Sequence, residues 1–307
     1  MQHISVLLEE TIESLNIKED GIYIDATLGY AGHSQEILSR VKRGFLFAFD
    51  QDEQACLESE KSLKKIGSNF KIIKSNFRYM KEELEKRNVN QVDGIIFDLG
   101  ISSPQIDNPE RGFTFMQDAP LDMRMDSSQK VTAQEIVNNY DENELTRIFY
   151  AYGEEKTSKA IAKGICRARE KKIITTTKEL TKIIESSVGA KYFYKSHPER
   201  QIFQALRIEV NKELEVLESI LPDAIDLLKE GGRICVISFH SLEDRIIKQT
   251  FKKYSEINEM VKGLPDIPKE YKPIIKIITR KPILPKGEEI ERNPRSKSAK
   301  LRVIERI

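Results

Sequence analysis

Three acidic residues each follow a short β-rich segment in the first hundred residues of the chain. They are Asp25, Asp50 and Asp98. Because the carboxyl ends of parallel strands meet at one edge of a sheet, we expect these side chains to lie near one another. A carboxylate at such an edge can accept ribose hydroxyls, face a cationic part of a cofactor or face an incoming amine. The three acids therefore predict a ligand site at this edge.

The turn after the first β-rich segment contains Gly29 and Gly32, and Asp50 follows Gly29 by 21 residues. Glycines let a backbone approach a ligand closely, and the following helix N-terminus offers unpaired N–H groups. A carboxylate at this spacing can accept both hydroxyls of a ribose. Two cofactor classes fit, a dinucleotide and S-adenosylmethionine. Since Gly-x-x-Gly departs from the Gly-x-Gly-x-x-Gly of dinucleotide sites, the turn favours S-adenosylmethionine.

Strand and helix signals alternate over the first hundred residues, which predicts βαβ units and a parallel sheet. Helical periodicity without a convincing strand then extends from about residue 106 to 211. Seven strands are predicted, at 22–25, 45–49, 70–73, 94–97, 234–237, 274–278 and 301–304. The pattern predicts a Rossmann-like α/β domain made of residues 1–105 and 212–307, with an all-helical domain, 106–211, inserted after the fourth strand.

The composition restricts the class of protein. Hydrophobic residues make up 39% and charged residues 32% of the 307, and the net charge is +1, which excludes wholesale disorder and a uniformly basic coat. No apolar run approaches the roughly 18 residues of a membrane span, and no secretory signal is recognisable. Cys56, Cys166 and Cys235 form neither a disulfide framework nor a metal pair. We expect a cytoplasmic protein with no bound metal.

Positive charge is concentrated in residues 156–182, which hold nine Lys or Arg and two Glu. At helical spacing Lys159, Lys163 and Arg167 share one face, which suits RNA phosphates. Solvated basic helix faces are also common, so both interpretations stay open.

Two further segments are candidates for RNA contact. Residues 280–307 hold nine basic and four acidic residues, and Arg295 in this segment can donate to phosphate oxygens. In the helix that begins near residue 198, Gln204, Arg207 and Asn211 line the face opposite the apolar stripe. Because a solvated face is normally rich in Lys and Glu, these residues are interpreted as hydrogen-bonding groups aimed at a partner, and Arg207 and Asn211 are candidates for RNA contact.

Longer blocks of sequence are more specific than a glycine turn. They are Gly32-His33-Ser34, Asp98–Gln105, Arg111–Phe115, Pro120–Asp126, Tyr152–Glu155, Phe203–Arg207, Ser238–Arg245 and Asn293–Ser296. With these blocks essentially the whole chain resembles the RsmH (MraW) family. The resemblance implies a class I S-adenosylmethionine-dependent methyltransferase sheet. It also implies methylation of the exocyclic N4 amine of a specific cytidine in 16S ribosomal RNA, with the RNA or the assembled small ribosomal subunit as partner. The oligomeric state is left open, a dimer included.

The resemblance also implies which residues contact S-adenosylmethionine. They are Ala31, Gly32, His33, Asp50, Phe77, Asp98 and Gln105. The family usually has Gly where this chain has Ala31, so a positive φ at this position would cost the chain strain. Phe77 follows the third predicted strand and can stack on adenine, although a Phe is more often part of the core.

The exocyclic amine of cytosine is a poor nucleophile because its lone pair is delocalised into the ring. An enzyme must hold it in line with the methyl group and offer hydrogen-bond acceptors. Many amino-methyltransferases use an Asp/Asn-Pro-Pro-aromatic segment, and this chain has Ser102-Ser103-Pro104 instead. The acceptor stays open among Asp98, Ser103 and His240, although a lone His is usually structural.

Two other function classes stay open at this point. One is an NAD-dependent oxidoreductase, and the other is a non-catalytic RNA-binding or ribosome-assembly protein with a Rossmann-like core. Titration with S-adenosylmethionine and with NAD separates the first, and methyl transfer to RNA separates the second.

Overall fold

The computed structural model describes residues 5–257, 259–261, 263, 265–268 and 271–307. The chain divides into two compact units, a sheet unit of residues 1–100 and 214–307 and a helical unit of residues 101–213. The boundaries differ by a few residues from the predicted ones. Ser102 is the N-cap of the first helix of the helical unit, and Glu213 is paired with Arg207 of the same unit.

The sheet unit contains seven strands in the order β3-β2-β1-β4-β5-β7-β6. Their bounds are β1 Ile22–Asp25, β2 Phe45–Asp50, β3 Phe70–Lys74, β4 Val92–Asp98, β5 Leu228–Ser238, β6 Ile275–Ile277 and β7 Lys300–Arg306. Strands β1 to β5 pair in parallel, and β7 is antiparallel to both β5 and β6. All seven predicted strands are confirmed, and so is the Rossmann-like fold class.

The strand order reverses between β1 and β4, because β2 and β3 extend the sheet on one side of β1 and β4 and β5 on the other. In open α/β sheets, ligands bind beyond the carboxyl ends of the strands at such a switch point. The last residues of the three strands at this point are Asp25 of β1, Asp50 of β2 and Asp98 of β4. The topology therefore places the three predicted acids at one edge.

Fourteen α-helices lie among the described residues. They are α1 Leu8–Leu15, α2 Gly32–Arg40, α3 Glu53–Leu63, α4 Met80–Glu85, α5 Ser103–Asp107, α6 Ala133–Asn139, α7 Glu142–Ala151, α8 Ser158–Arg169, α9 Thr177–Val188, α10 Ala190–Ser196, α11 Pro198–Asn211, α12 Glu213–Leu227, α13 Ser241–Ser255 and α14 Gly287–Arg292. No helix in the described part of the chain is both long and apolar enough to cross a membrane.

Alternate residues of the central strands pack on opposite faces of the sheet. Ile95 and Phe97 of β4 belong to a core that includes residues of α4, α12 and α13. Ile96, between them, belongs to a second core with residues of α1 and α2. A parallel strand that is buried on both faces has a continuous run of apolar residues in its sequence. This is why β2 and β4 could be predicted from the sequence.

The helical unit has its own core, built from α6 to α11 and the loop around residues 113–125. In α8, Ile161 and Ile165 are fully buried, whereas Lys159, Lys163 and Arg167 are exposed. The predicted amphipathic character of this helix is confirmed.

Candidate active site

The turn after β1 is held against the end of β2. Gly29 has a φ of +48°, a conformation that suits glycine, and its N–H donates to Asp50 Oδ2 at 2.8 Å. Its carbonyl accepts the Ser59 hydroxyl of α3 at 2.7 Å. A Cβ on Gly29 would meet only the Thr27 carbonyl, at 3.9 Å. The hydrogen bonds to Asp50 and Ser59 therefore fix the backbone of the turn, while space remains beside the α-carbon of Gly29.

Ala31 precedes α2 with a φ of +65° and is fully buried. This answers the question raised by the glycine usual in the family, because the backbone does adopt the left-handed conformation and the alanine carries its strain. Gly32 is tightly packed for a different reason, since a Cβ there would lie 1.7 Å from the Ser5 hydroxyl oxygen and would require the Ser5 side chain to move.

Asp25 is buried and accepts two hydrogen bonds from the same turn. Its carboxylate takes the Thr27 N–H at 3.1 Å and the Ser34 hydroxyl at 2.7 Å. Burial raises the pKa of Asp25 to about 6, and these two bonds oppose the rise. The Thr27 hydroxyl in turn accepts the Asp98 N–H at 2.6 Å, so the turn after β1 also holds the end of β4.

Each carboxylate oxygen of Asp50 accepts one hydrogen bond from the residues that the structure describes. Oδ2 accepts the Gly29 N–H and Oδ1 accepts the Asp52 N–H, both at 2.8 Å. Burial raises the pKa of Asp50 to about 6, against the effect of the two bonds. Because a carboxylate has about four acceptor positions, two remain for a pair of hydroxyl groups.

Phe77 is the first residue of the short 3-10 helix that follows β3. Its ring packs edge to face on Phe97, with centroids 5.6 Å apart, and it is only half-buried. The ring is thus both part of the core and available at the edge of the sheet.

Asp98 has the most perturbed carboxyl group at this edge. Oδ2 lies 3.7 Å from Nδ1 of the buried His33, and Oδ1 is buried without a hydrogen-bond partner among the described residues. Burial, followed by the charges of Asp25 and Glu243, raises the pKa of Asp98 to about 8. At neutral pH the carboxyl group is therefore mainly protonated in the free protein.

His240 occupies the N-cap position of α13, two residues beyond β5. Its Nδ1 accepts the Glu243 N–H at 3.4 Å, and Glu243 Oε2 accepts the N–H groups of Phe239 and His240 at 2.8 and 3.3 Å. This reciprocal capping box normally begins with Ser or Thr. Because a histidine stands in the first position, sequence reasoning missed Glu243, although the Glu three residues later was a usable signal.

Ser103 and Gln105 lie in α5, at the beginning of the helical unit. The Gln105 amide oxygen accepts the Ser102 N–H at 3.0 Å, which completes a capping box with Ser102. Gln105 was expected to contact the cofactor, and in this structure its amide oxygen stabilises the start of the helix.

The exposed basic residues of α8 form what we call the basic face, Lys159, Lys163 and Arg167. None of the three pairs with an acidic side chain within the described residues. By contrast, Lys172 nearby is paired with Glu179. Positive charges on the basic face are thus not compensated locally, which suits an anionic partner.

The three polar residues predicted on the outer face of α11 mostly serve the helical unit itself. Arg207 makes a bidentate pair with Glu213 at 2.9 and 3.1 Å, and Gln204 donates to the Tyr152 carbonyl. Asn211 is buried: it accepts the Met125 N–H and donates to the Met123 carbonyl, both at 2.8 Å.

The expectation that Asn211 faces RNA is therefore wrong. A polar side chain that satisfies the backbone of a neighbouring loop has the same helical position as one that faces solvent, so periodicity alone does not distinguish them.

Arg295 is exposed on the short 3-10 helix Pro294–Ser298 of the sheet unit. Within the described residues, no group of three or more His, Cys, Asp or Glu side chains could hold a metal ion.

A family model described as the MraW methylase family matches residues 1–307. Among solved structures, the chain is similar to an rRNA methylase from Streptococcus thermophilus, with 12% identity, a TM-score of 0.43, and 100% of this chain and 99% of that chain covered. A protein from Streptococcus mutans in complex with SAH gives 12% identity and a TM-score of 0.42, with 99% of each chain covered.

Proposed function

The chain belongs to the MraW methylase family, and from this premise we propose that it methylates the exocyclic N4 amine of a specific cytidine in the 16S RNA of the small ribosomal subunit. At the coarser level the protein is an rRNA methyltransferase whose methyl donor is S-adenosylmethionine. The observation that carries the proposal is the row of Asp25, Asp50 and Asp98 at the switch point of the sheet.

The residues at this edge fit a cationic nucleoside cofactor. Two acceptor positions on Asp50 match the two ribose hydroxyls, and the buried Oδ1 of Asp98 offers an acceptor to a cationic group. No Lys or Arg within the described residues pairs with Asp25, Asp50 or Asp98. A pyrophosphate would meet like charges here, which favours S-adenosylmethionine over NAD.

S-adenosylmethionine supplies a methyl group activated by a positively charged sulfur. The amine nitrogen that accepts this methyl group would become strongly acidic and would lose a proton readily, so a dedicated base is optional. The protein must hold the amine in line and accept its hydrogen bonds. We propose Asp98, Ser103 and His240 as the acceptor candidates, and Ala31, Gly32, His33, Phe77 and Gln105 as further cofactor contacts.

We further propose the helical unit as the RNA-recognition domain, with the basic face of α8 binding phosphates. Lys159, Lys163 and Arg167 are exposed and uncompensated, which supports their role. Arg207 and Arg295 are weaker candidates, because Arg207 is already held by Glu213 and Arg295 lies on the sheet unit, outside the proposed RNA-recognition domain. Asn211 is not part of the proposed surface.

Transfer of labelled methyl groups tests the function. Naked 16S RNA and assembled small subunits, both from cells that lack the enzyme, are incubated with the protein and S-adenosylmethionine, and the modified nucleoside is mapped by mass spectrometry. We expect N4-methylcytidine at one position. Methylation at a ring carbon or on another base would contradict the N4 assignment. Absence of transfer to either substrate would instead support the non-catalytic alternative.

A further inference from the structure

Glu243 is a buried acid of the sheet unit that neither the resemblance nor the cofactor chemistry assigns. It is 2% exposed, although it lies in the first turn of α13. Burying a charged group is costly unless it is hydrogen-bonded. Here Oε2 accepts the N–H groups of Phe239 and His240, while Oε1 lies 3.2 Å from Nε2 of His240. The carboxylate thus fixes the turn after β5 and lies beside Nε2 of His240, while the Glu243 backbone N–H donates to Nδ1 of the same ring.

The same turn lies beside Asp98. Asp98 pairs with Ile237 in the sheet, and the Leu99 N–H donates to the Ile237 carbonyl at 3.0 Å. The groups that face Asp98 are Asp25 from β1, His33 from α2, and Glu243 from the start of α13, where His240 is the cap. Of these, Asp25 is tied to Thr27 and Ser34, so Glu243 is the acid that connects Asp98 with His240.

We propose that Glu243 is a positioning residue for methyl transfer, which holds His240 at the start of α13 and places a negative charge against Asp98. The inference rests on the proposed function, because it assigns to Asp98 and His240 the roles given above. It goes beyond that function by naming the residue through which the two are coupled.

The charge of Glu243 and its geometry predict different experimental results. The charge of Glu243 disfavours ionised Asp98, so its removal lowers the pKa of Asp98 and extends tight cofactor binding to lower pH. The geometry of Glu243 orients His240 and the turn, so shortening the side chain disturbs turnover while the charge remains. Glu243→Gln tests the charge and Glu243→Asp tests the geometry.

The first experiment is a calorimetric titration with S-adenosylmethionine between about pH 5.5 and 9. For Glu243→Gln we expect the pH midpoint of the affinity to fall by about 0.5–1.5 units, the effect of removing one neighbouring like charge from a buried site. Glu58→Gln, which removes one exposed charge from α3, is the matched control and should keep the wild-type midpoint. A Glu243→Gln midpoint equal to that of wild type overturns the charge coupling.

The second experiment compares turnover on RNA at saturating cofactor. We expect Glu243→Asp to keep the wild-type pH midpoint and to lower kcat, and Glu243→Gln, which can still accept N–H groups, to restore kcat in part. Wild-type kcat in both variants overturns the positioning role. Failure of the proposed function is distinct from both results, because wild-type protein would then form no N4-methylcytidine in 16S RNA. If Glu243→Gln does not fold, the same calorimetric titration is made with Glu243→Ala, which also removes the charge, and a wild-type midpoint in that variant contradicts the charge coupling.

Discussion

The Gly29 N–H donates to the Asp50 carboxylate at 2.8 Å, and the two residues are 21 positions apart. The proposed ribose acceptor therefore also holds the glycine turn after β1. A second bond, from the Asp52 N–H, fixes the other carboxylate oxygen. Asp50 is thus preoriented by the backbone before any ligand arrives, which lowers the entropic cost of binding.

This double role makes Asp50 a sensitive position. Replacing Asp50 with Ala removes both the ribose acceptor and the anchor of the turn, so we expect the Kd for S-adenosylmethionine to rise by about 30- to 150-fold, or about 2–3 kcal/mol. Asp50→Asn keeps one acceptor oxygen, so we expect it to lose less affinity for S-adenosylmethionine than Asp50→Ala. Calorimetric titration measures both, with thermal unfolding as the check on folding. Unchanged affinity in folded Asp50→Ala would move the ribose site elsewhere.

Ala31 allows a test of backbone strain at the same turn. Ala31→Gly relieves about 1–2 kcal/mol of left-handed strain, but it loses a buried methyl group worth about 0.8 kcal/mol and adds chain entropy. We therefore expect a net change in unfolding free energy within about 1 kcal/mol. Ala31→Val should destabilise by about 2 kcal/mol or more, because a β-branched residue is excluded from this φ. Urea denaturation distinguishes the two, and a well-tolerated valine would contradict the positive φ.

Much of this architecture could be predicted from the chain. The strands β1, β2 and β4 are buried on both faces, so their apolar runs and terminal acids were visible without any knowledge of the pairing. The blocks around Asp98 and His240 were specific enough to place the chain in its family.

Other features depend on which atoms meet in space. The capping role of His240, the burial of Asn211 and the left-handed backbone at Ala31 each require a partner or a dihedral angle that spacing does not encode. The structural role of Gln105 was likewise not predictable from spacing, because its amide oxygen accepts the Ser102 N–H at the start of α5. The sequence showed His240, Asn211 and Gln105 as polar side chains in suitable positions, and only their contacts in the structure distinguish a ligand-binding role from a structural one.

The basic face of α8 should separate RNA binding from cofactor binding. Replacing Lys159 and Lys163 together with Ala removes two phosphate contacts, so RNA affinity should fall and the slope of log K against log salt should become less steep by roughly 1.5–2 units. The affinity for S-adenosylmethionine should stay at the wild-type value. The matched control is Lys61→Ala with Lys64→Ala, two exposed lysines at the C-terminal end of α3 in the sheet unit. If the control and the α8 variant weaken RNA binding equally, the face of α8 has no special role.

The raised pKa of Asp98 also predicts a pH-dependent cost to stability. Its folded pKa of about 8 lies above the unfolded value near 4, so the carboxyl group contributes stability at low pH that is lost as the pH rises through 8. Asp98→Asn should therefore gain unfolding temperature relative to wild type, and the gain should grow from pH 5 to pH 8.5. The charges that act on it are those of Asp25 and Glu243, with His33 alongside. Calorimetric scans of both proteins measure the difference in unfolding temperature. A gain in unfolding temperature that does not depend on pH would contradict the raised pKa of Asp98.

His240 is the residue for which a structural and a chemical role are most easily confused. Its Nδ1 accepts an N–H at the start of α13, so His240→Ala loses the helix cap, about 0.5–2 kcal/mol, whatever else the ring does. Asn is a good N-cap residue, so His240→Asn keeps the cap and removes only the imidazole.

The comparison of these two variants separates the roles. We expect His240→Asn to unfold at the wild-type temperature, to bind S-adenosylmethionine with wild-type affinity and to lower turnover on RNA at saturating cofactor by about 10- to 100-fold, because an acceptor or an orienting group at the amine is gone. A raised KM for RNA with unchanged kcat would assign His240 to RNA binding instead. If His240→Asn turns over like wild type while His240→Ala is merely less stable, the histidine is a helix cap, and the amine acceptor must be sought at Asp98 or Ser103.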